Sequence, residues 1–323
     1  MTEQTDTHFL TDIEIKEFKC FNDFKASGFK RVNLIGGKNN VGKTAFMEAC
    51  YINVSSTDIK NMVFAITVIK GKREKANLVH KAKVDPQLFL DSTRYYEVKS
   101  NLNLSFQSFS LVEKDAKKEY KFNINEKLTA INAKDINISM TPVANINFID
   151  NFGWADSLLI KAYQFIQKKD QENDLDVFIR EFDSSIENFK VIGEKPQCKT
   201  NGEYRDITEF GDGLKHYISI ICALYACENG YLFIDEIDNG IYYDHLDRLW
   251  EIILTLSIQT NCQIFATTHS KEMLESFARV AKKLDEQDIS FTTLVKNKHQ
   301  EIKALTRDYE MILDSIEDGR EVR

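Results

Sequence analysis

Three observations predict an α/β fold with a mostly parallel sheet, an antiparallel β subdomain and an inserted helical lobe. Strands alternate with helices in the final third, a Gly-rich turn separates a strand from a helix near residue 40, and period-2 apolar positions fill 95–124. In the final third a helix carries Leu214, Ile218, Ile221 and Tyr225 on one stripe, and the apolar strand Tyr231–Ile234 follows. Next come a helix with Leu246, Leu249, Trp250 and Ile253, the strand Gln263 to Thr268, and a helix with Met273, Phe277 and Val280. A hairpin, Ile289 to Leu294 and Ile302 to Leu305, and a charged tail close the chain.

The opening segment alternates through Ile13, Ile15 and Phe18, which predicts a strand over 11–18. Residues 30–36 read as a second strand running into the Gly-rich turn. The helix after Lys43 has Ala45, Phe46, Ala49 and Cys50 on one face. Antiparallel strands are expected from Val98, Leu102, Leu104 and Phe106, then Tyr120, Phe122 and Ile124. From Trp154 to Phe182 the pattern turns helical, with Leu158, Leu159, Ala162, Phe165 and Ile166, then Val177, Phe178 and Phe182. Residues 1–323 are read as one domain, with 54–205 as an inserted β/helical lobe that holds no nucleotide motif.

Composition narrows the class. With 43% hydrophobic and 28% charged residues the chain is ordinary globular material, not a disordered one. No apolar run is long enough to span a membrane, and Met1 to His8 has no apolar core of the secretory kind. Six scattered cysteines form no C-x-x-C pair, so neither a zinc knuckle nor a disulfide framework is expected, and a cytoplasmic location follows. A net charge of −8 is unlike a protein that coats DNA, although a local basic patch is compatible with it.

Gly37-Lys38-Asn39-Asn40-Val41-Gly42-Lys43-Thr44 fits G-x-x-x-x-G-K-[ST] between a strand and a helix. Glycines let backbone N–H groups turn inward, and the helix N-terminus adds partial positive charge. Gly37, Asn39, Asn40, Val41, Gly42, Lys43, Thr44 and Ala45 are therefore the candidate phosphate-binding residues for ATP. Lys43 would reach the β- and γ-phosphates, and Thr44 would ligate Mg²⁺. Asp235 and Glu236 follow an apolar strand, where ligands bind in open α/β sheets. Asp235 is assigned to Mg²⁺ through water, and Glu236 to polarising the attacking water. His269, after the next strand, is placed to sense the γ-phosphate. Gly211-Asp212-Gly213 opens the helix before the Asp235 strand. It makes a second anion nest, which has a use if it contacts ATP in trans across a two-fold dimer.

These four elements, in this order, resemble ABC-type ATPases of the SMC/RecF/OLD branch, and more narrowly the AAA15-type, OLD-like ATPases of bacteria. The resemblance is carried by IEIKEFKCFNDF at the start, by Gly211 to Leu274, and by the closing Glu321 to Arg323. It covers 11–50 and 205–275 and is weak between them. It implies an ABC-type P-loop ATPase head that dimerises around two ATPs, with Lys43 and Thr44 as Walker A, and Asp235 and Glu236 as Walker B. It further implies Gly211–Gly213 as the signature loop, Asp238 in the D-loop and His269 as the switch histidine. The chain departs from the pattern where Gly211 stands for the usual signature serine. The Q-loop glutamine has no clear counterpart, and no long heptad run marks a coiled-coil arm. No acidic TOPRIM cluster follows His269 before Arg323, so a nuclease is expected to be a separate polypeptide.

Two functions compete. One is an ATP-binding sensor-regulator of phage defence, resembling the ATPase subunits of systems such as PARIS. It would work as a homodimer or higher oligomer and control a separate TOPRIM-type or HNH nuclease. The other is a RecF- or SMC-like head that repairs or clamps DNA. That would use Lys70, Lys72, Arg73, Lys75, His80, Lys81 and Lys83, with Lys114, Lys117, Lys118 and Lys121. The bland reading of those lysines is solvated charge, because glutamates are interspersed. A membrane-transporter subunit is the least favoured reading.

Overall fold

The computed structural model describes residues 8–73, 86–114, 117–135, 143–151 and 153–317. Its centre is a six-stranded sheet with β3 (Val32–Gly36), β8 (Ile146–Ile149), β12 (Tyr231–Ile234), β13 (Gln263–Thr267), β14 (Ile289–Lys296) and β15 (Ile302–Arg307). The order is β15-β14-β3-β13-β12-β8, parallel throughout except for the β14–β15 hairpin. The α/β expectation is met, and β12 and β13, which lead into Asp235–Glu236 and toward His269, lie side by side.

A second sheet is wholly antiparallel. It runs β2-β1-β4-β5-β6-β7, from β1 (Asp12–Phe18), β2 (Phe21–Ser27), β4 (Tyr95–Ser100), β5 (Asn103–Lys114), β6 (Lys117–Ile124) and β7 (Lys127–Asn132). Between the two sheets lies α1 (Lys43–Ser55). Alternation along the parallel strands sorts side chains into two cores. Tyr231, Phe233 and Phe265 face α1 and the antiparallel sheet, whereas Leu232, Ile234, Ile264 and Ala266 face the helices on the other side. Those helices are α4 (Asp156–Lys168), α5 (Glu172–Phe182), α6 (Asp212–Ala226), α7 (Leu246–Thr260) and α8 (Lys271–Leu284).

Beneath α1 an aromatic ladder crosses three strands. Phe148 stacks on Phe233 at 6.2 Å between centroids, Phe233 stacks on Phe265 at 5.4 Å, and Tyr51 of α1 meets Phe148 and Phe233 edge-on at 5.7 Å. Each such pair adds about 0.5–1.5 kcal/mol beyond area burial, so the ladder fixes α1 over the strand ends.

Four details differ from the sequence reading. First, α1 is buried all round and not along one face, because sheets cover both of its sides. Second, 54–205 does not form one inserted lobe. Ser55 still belongs to α1, β4–β7 extend the sheet begun by β1 and β2, and β8 is an edge strand of the central sheet. Helices α4 and α5 stand where the sequence suggests, and with the small sheet of β9 (Asn188–Ile192), β10 (Lys195–Thr200) and β11 (Glu203–Asp206) they pack beside α6. Third, Phe165 and Val177 are exposed, because Leu159, Ala162, Tyr163 and Ile166 supply the inward stripe of α4, and Leu175 and Ile179 that of α5. Fourth, Phe106 lies half-buried under the ammonium groups of Lys16 (4.3 Å) and Lys99 (5.7 Å), while Gln107 and Phe109 turn inward. The remaining elements are α2 (Ile59–Arg73), α3 (Pro86–Asp91) and the terminal α9 (Tyr309–Glu317). Among the described residues no helix is long and apolar enough to cross a membrane.

Candidate active site

The phosphate loop leaves β3 and opens α1 at Lys43. Gly42 is the N-cap at φ 100°, with no side-chain cap and no acidic residue in the first turn. The first amides of α1 therefore have no side chain competing for them, which is what an incoming anion needs. Lys43 is 6% exposed, and its Nζ donates to the carbonyls of Gly37 (2.9 Å) and Lys38 (3.2 Å). Burial pulls the ammonium below the ordinary lysine range, and the carboxylates of Asp235, Glu236 and Asp238 pull it back up.

Asp235 sits at the C-terminal end of β12, opposite the first turn of α1. The Thr44 hydroxyl lies 3.0 and 3.2 Å from its two carboxylate oxygens. Hard oxygen donors brought together at the mouth of a phosphate loop suit Mg²⁺. One strand further, β8 ends in Phe148-Ile149-Asp150 beside Phe233-Ile234-Asp235, with Phe148 paired to Phe233 and Ile149 to Ile234. The register sets Asp150 next to Asp235, and both line a cavity of about 190 Å³ with Thr44, Glu48 and Asn151. Sequence reasoning missed Asp150. Its signal was the repeated F-I-D tripeptide, and the short strand before it was not recognised as part of the central sheet.

Glu236 leaves the strand in the left-handed region, at φ 54°. That conformation costs a residue with a Cβ about 1–2 kcal/mol. Two hydrogen bonds from the neighbouring strand offset it. The Glu236 amide donates to Thr267 Oγ1 (2.8 Å) and the Ile237 amide to the Thr267 carbonyl (3.0 Å). At about 0.5–1.5 kcal/mol net each, the pair balances the turn. The Glu236 carboxylate is then carried toward His269, with Oε1 3.5 Å from Nε2.

His269 Nδ1 lies 3.0 Å from Lys43 Nζ. An ammonium has only donors, so Nδ1 accepts and the neutral ring carries its proton on Nε2, facing Glu236. Ser270 is occupied as the N-cap of α8, accepting from the Met273 amide. Asp238 accepts from Thr268 Oγ1 at 2.7 Å. Lys43, Thr44, Asp235, Glu236, Asp238 and His269 thus converge on one strand-end cluster.

Gly211, Asp212 and Gly213 are not among these contacts. They form the start of α6, where Gly211 and Asp212 are exposed. Gly211 adopts φ 89° and ψ 162°, a region essentially closed to residues with a Cβ, so the loop conformation itself explains why no serine stands there. Gly213 is packed on the loop that follows Glu236. A Cβ on Gly213 would fall 1.9 Å from the Gly240 carbonyl oxygen. Phe18 and Phe21 are buried: Phe18 packs on Tyr96 and Phe21 on Phe24.

Residues 32–275 match the family model described as "AAA domain, putative AbiEii toxin, Type IV TA system". The chain belongs to this family. With the phosphate loop at the end of β3 and the Asp235–Glu236 pair at the end of β12, on either side of β13, this AAA-domain protein is a P-loop ATPase. It is 24% identical over 332 aligned residues to a Helicobacter pylori protein named ATP/GTP phosphatase, covering 85% of this chain and 89% of that one. The AAA-domain chain is also similar in fold to SMC heads. One, bound to the C-winged helix domain of ScpA, has a TM-score of 0.53 at 11% identity and covers 94% of this chain and 99% of its own. Another, from Pyrococcus furiosus, carries an extended coiled coil and is bound to the C-terminal domain of ScpA. It also has a TM-score of 0.53 at 11% identity, over 97% and 100%.

Proposed function

We propose that this chain binds and hydrolyses ATP as the sensor-regulator of a separate effector in phage defence, dimerising around the nucleotide. The observation that carries the ATP-driven part is the pair of contact sets at these strand ends, Lys43 to His269 to Glu236 and Thr44 to Asp235. The loop amides and Lys43 would hold the phosphates, and Thr44 and Asp235, joined by Asp150, would hold Mg²⁺. When bound, the ion neutralises charge on the phosphate oxygens. Glu236 takes a proton from water, and His269, its Nε2–H facing Glu236, orients that carboxylate. Substrate preference between ATP and GTP is read toward ATP.

The dimer follows from a mismatch. Among the described residues no hydrogen bond joins the exposed Gly211 and Asp212 to the chain's own phosphate loop, so a second copy is the natural source of the nucleotide they would meet. We infer that ATP binding closes the two copies and hydrolysis opens them, which shifts an effector such as a TOPRIM-type or HNH nuclease between held and released states. In the Glu236→Gln background, mass photometry with ATP should show the dimer and, with the neighbouring genes co-expressed, a larger complex with a nuclease-like protein. A chain that stays monomeric with and without ATP is incompatible with the reading.

The second reading, a DNA-clamping head, draws on the SMC-like fold. Its lysines give it less support. Lys118 is paired with Asp91 (2.7 Å) and Glu113 (3.6 Å), and Lys121 lies 3.7 Å from Glu119. Lys70 donates to the Ser92 carbonyl (3.0 Å), and Lys75, His80, Lys81 and Lys83 lie outside the described residues.

His269→Ala should lower kcat by about tenfold or more while raising KM for ATP much less, because Lys43 keeps its two carbonyl partners and still meets the phosphates. Steady-state phosphate release across ATP concentrations checks the split.

A further inference from the structure

Thr267 is fully buried at the end of β13, in the apolar strand Gln263-Ile264-Phe265-Ala266-Thr267. Its hydroxyl makes two contacts on the neighbouring strand end. It lies 2.8 Å from the Glu236 amide nitrogen and 2.7 Å from Asp235 Oδ1. The amide can only donate, so Oγ1 accepts from it. The single hydroxyl proton is then committed to the Asp235 carboxylate, which is acceptor-only when ionised. The result is a directed chain, from the Glu236 N–H through Thr267 Oγ–H to Asp235 Oδ1, in which each bond polarises the next.

The backbone shows why this chain sits where it does. Asp235 still follows the sheet, since its amide donates to the Ile149 carbonyl of β8 at 2.9 Å. Glu236 is the first residue to leave it, at φ 54°. The Thr267 hydroxyl holds the Glu236 amide and the Thr267 carbonyl holds the Ile237 amide, so one residue secures both sides of the bend.

We propose that Thr267 is a positioning residue for hydrolysis. Its hydroxyl locks the left-handed turn at Glu236 and so aims the Glu236 carboxylate at the attacking water. This rests on the reading of Glu236 as general base. Thr268 has a different task, since its hydroxyl donates to Asp238 and accepts from the Ser270 amide (3.0 Å). Loss of the Thr267 hydroxyl leaves the Glu236 amide without its partner and frees the turn to relax.

The test is steady-state ATPase kinetics on the full chain. Thr267→Val keeps the β-branched shape that a buried strand favours and removes only the hydroxyl. It should lower kcat by at least about tenfold and change KM for ATP by less than about twofold. Thr267→Ser, which restores the hydroxyl, should return kcat to within about threefold of the native protein. If valine prevents folding, as circular dichroism would reveal, Thr267→Ala removes the same hydroxyl with less steric demand and carries the same expectation. Because Thr267 acts through Glu236, the Thr267→Val/Glu236→Gln double variant should turn over no more slowly than Glu236→Gln alone. Native kcat in Thr267→Val, a serine variant as impaired as valine, or losses that multiply in the double variant would each overturn the proposal. Failure of the underlying reading looks different: Glu236→Gln itself then hydrolyses ATP at the native rate.

Discussion

Lys43→Ala should abolish nucleotide binding at concentrations where the native chain is saturated, a loss of at least about 30-fold in affinity. The size follows from what the side chain does. Lys43 is buried and its Nζ has three partners, the carbonyls of Gly37 and Lys38 and His269 Nδ1. It is the charged group drawn into the phosphate loop itself, and truncating one partner of a buried, charge-assisted contact costs about 2–5 kcal/mol. The truncation also leaves the Asp235, Glu236 and Asp238 carboxylates facing the phosphates without the cation that now balances them. Titration with a fluorescent ATP analogue measures this directly. Affinity within threefold of native would show that the loop amides alone carry the binding. A retained melting temperature would confirm that the fold survives, as expected for a residue whose partners are all in the site.

Glu236→Gln should separate binding from chemistry. The amide is nearly the same size, keeps the backbone turn held by Thr267, and leaves Thr44 and Asp235 untouched. It cannot accept a proton from water. General-base removal costs about 10²–10⁴ in rate, so single-turnover hydrolysis should fall into that range while ATP affinity stays within a few-fold. The 3.5 Å approach of His269 Nε2 to the Glu236 carboxylate adds a second consequence, because glutamine offers no negative charge to that N–H. A variant that hydrolyses ATP at the native rate would move the base elsewhere, with Asp150 the next carboxylate to replace.

How much of this was legible beforehand depends on how each residue is covered. β12 and β13 were readable because strands buried on both faces appear as unbroken apolar runs, and their ends point to Asp235 and His269. The phosphate loop was readable because its chemistry demands a fixed spacing. β8 was not, because four residues in a polar neighbourhood give periodicity too little length, and Asp150 was lost with it. α1 looks one-faced in the sequence because an apolar stripe presumes that the other side meets water, whereas this helix meets two sheets. Thr267 passed unnoticed because a lone hydroxyl in a β-branched strand reads as a strand former, and only the parallel register of β13 against β12 puts it under Glu236. The three-dimensional neighbour, not the residue type, made it informative.

The glycine-to-glycine contact between the start of α6 and the loop after Glu236 has a thermodynamic corollary. Gly213 has no side chain to flex and would admit none against the Gly240 carbonyl, so any tilt of the α6 tip does work on the segment carrying Glu236 and Asp238. Linkage makes that work reciprocal. If a ligand on Gly211 and Asp212 moves the tip, its binding and the binding of nucleotide beside Glu236 would change each other's affinity by the same factor. Such a contact would tie affinity at the α6 tip to affinity for nucleotide beside Glu236 and Asp238.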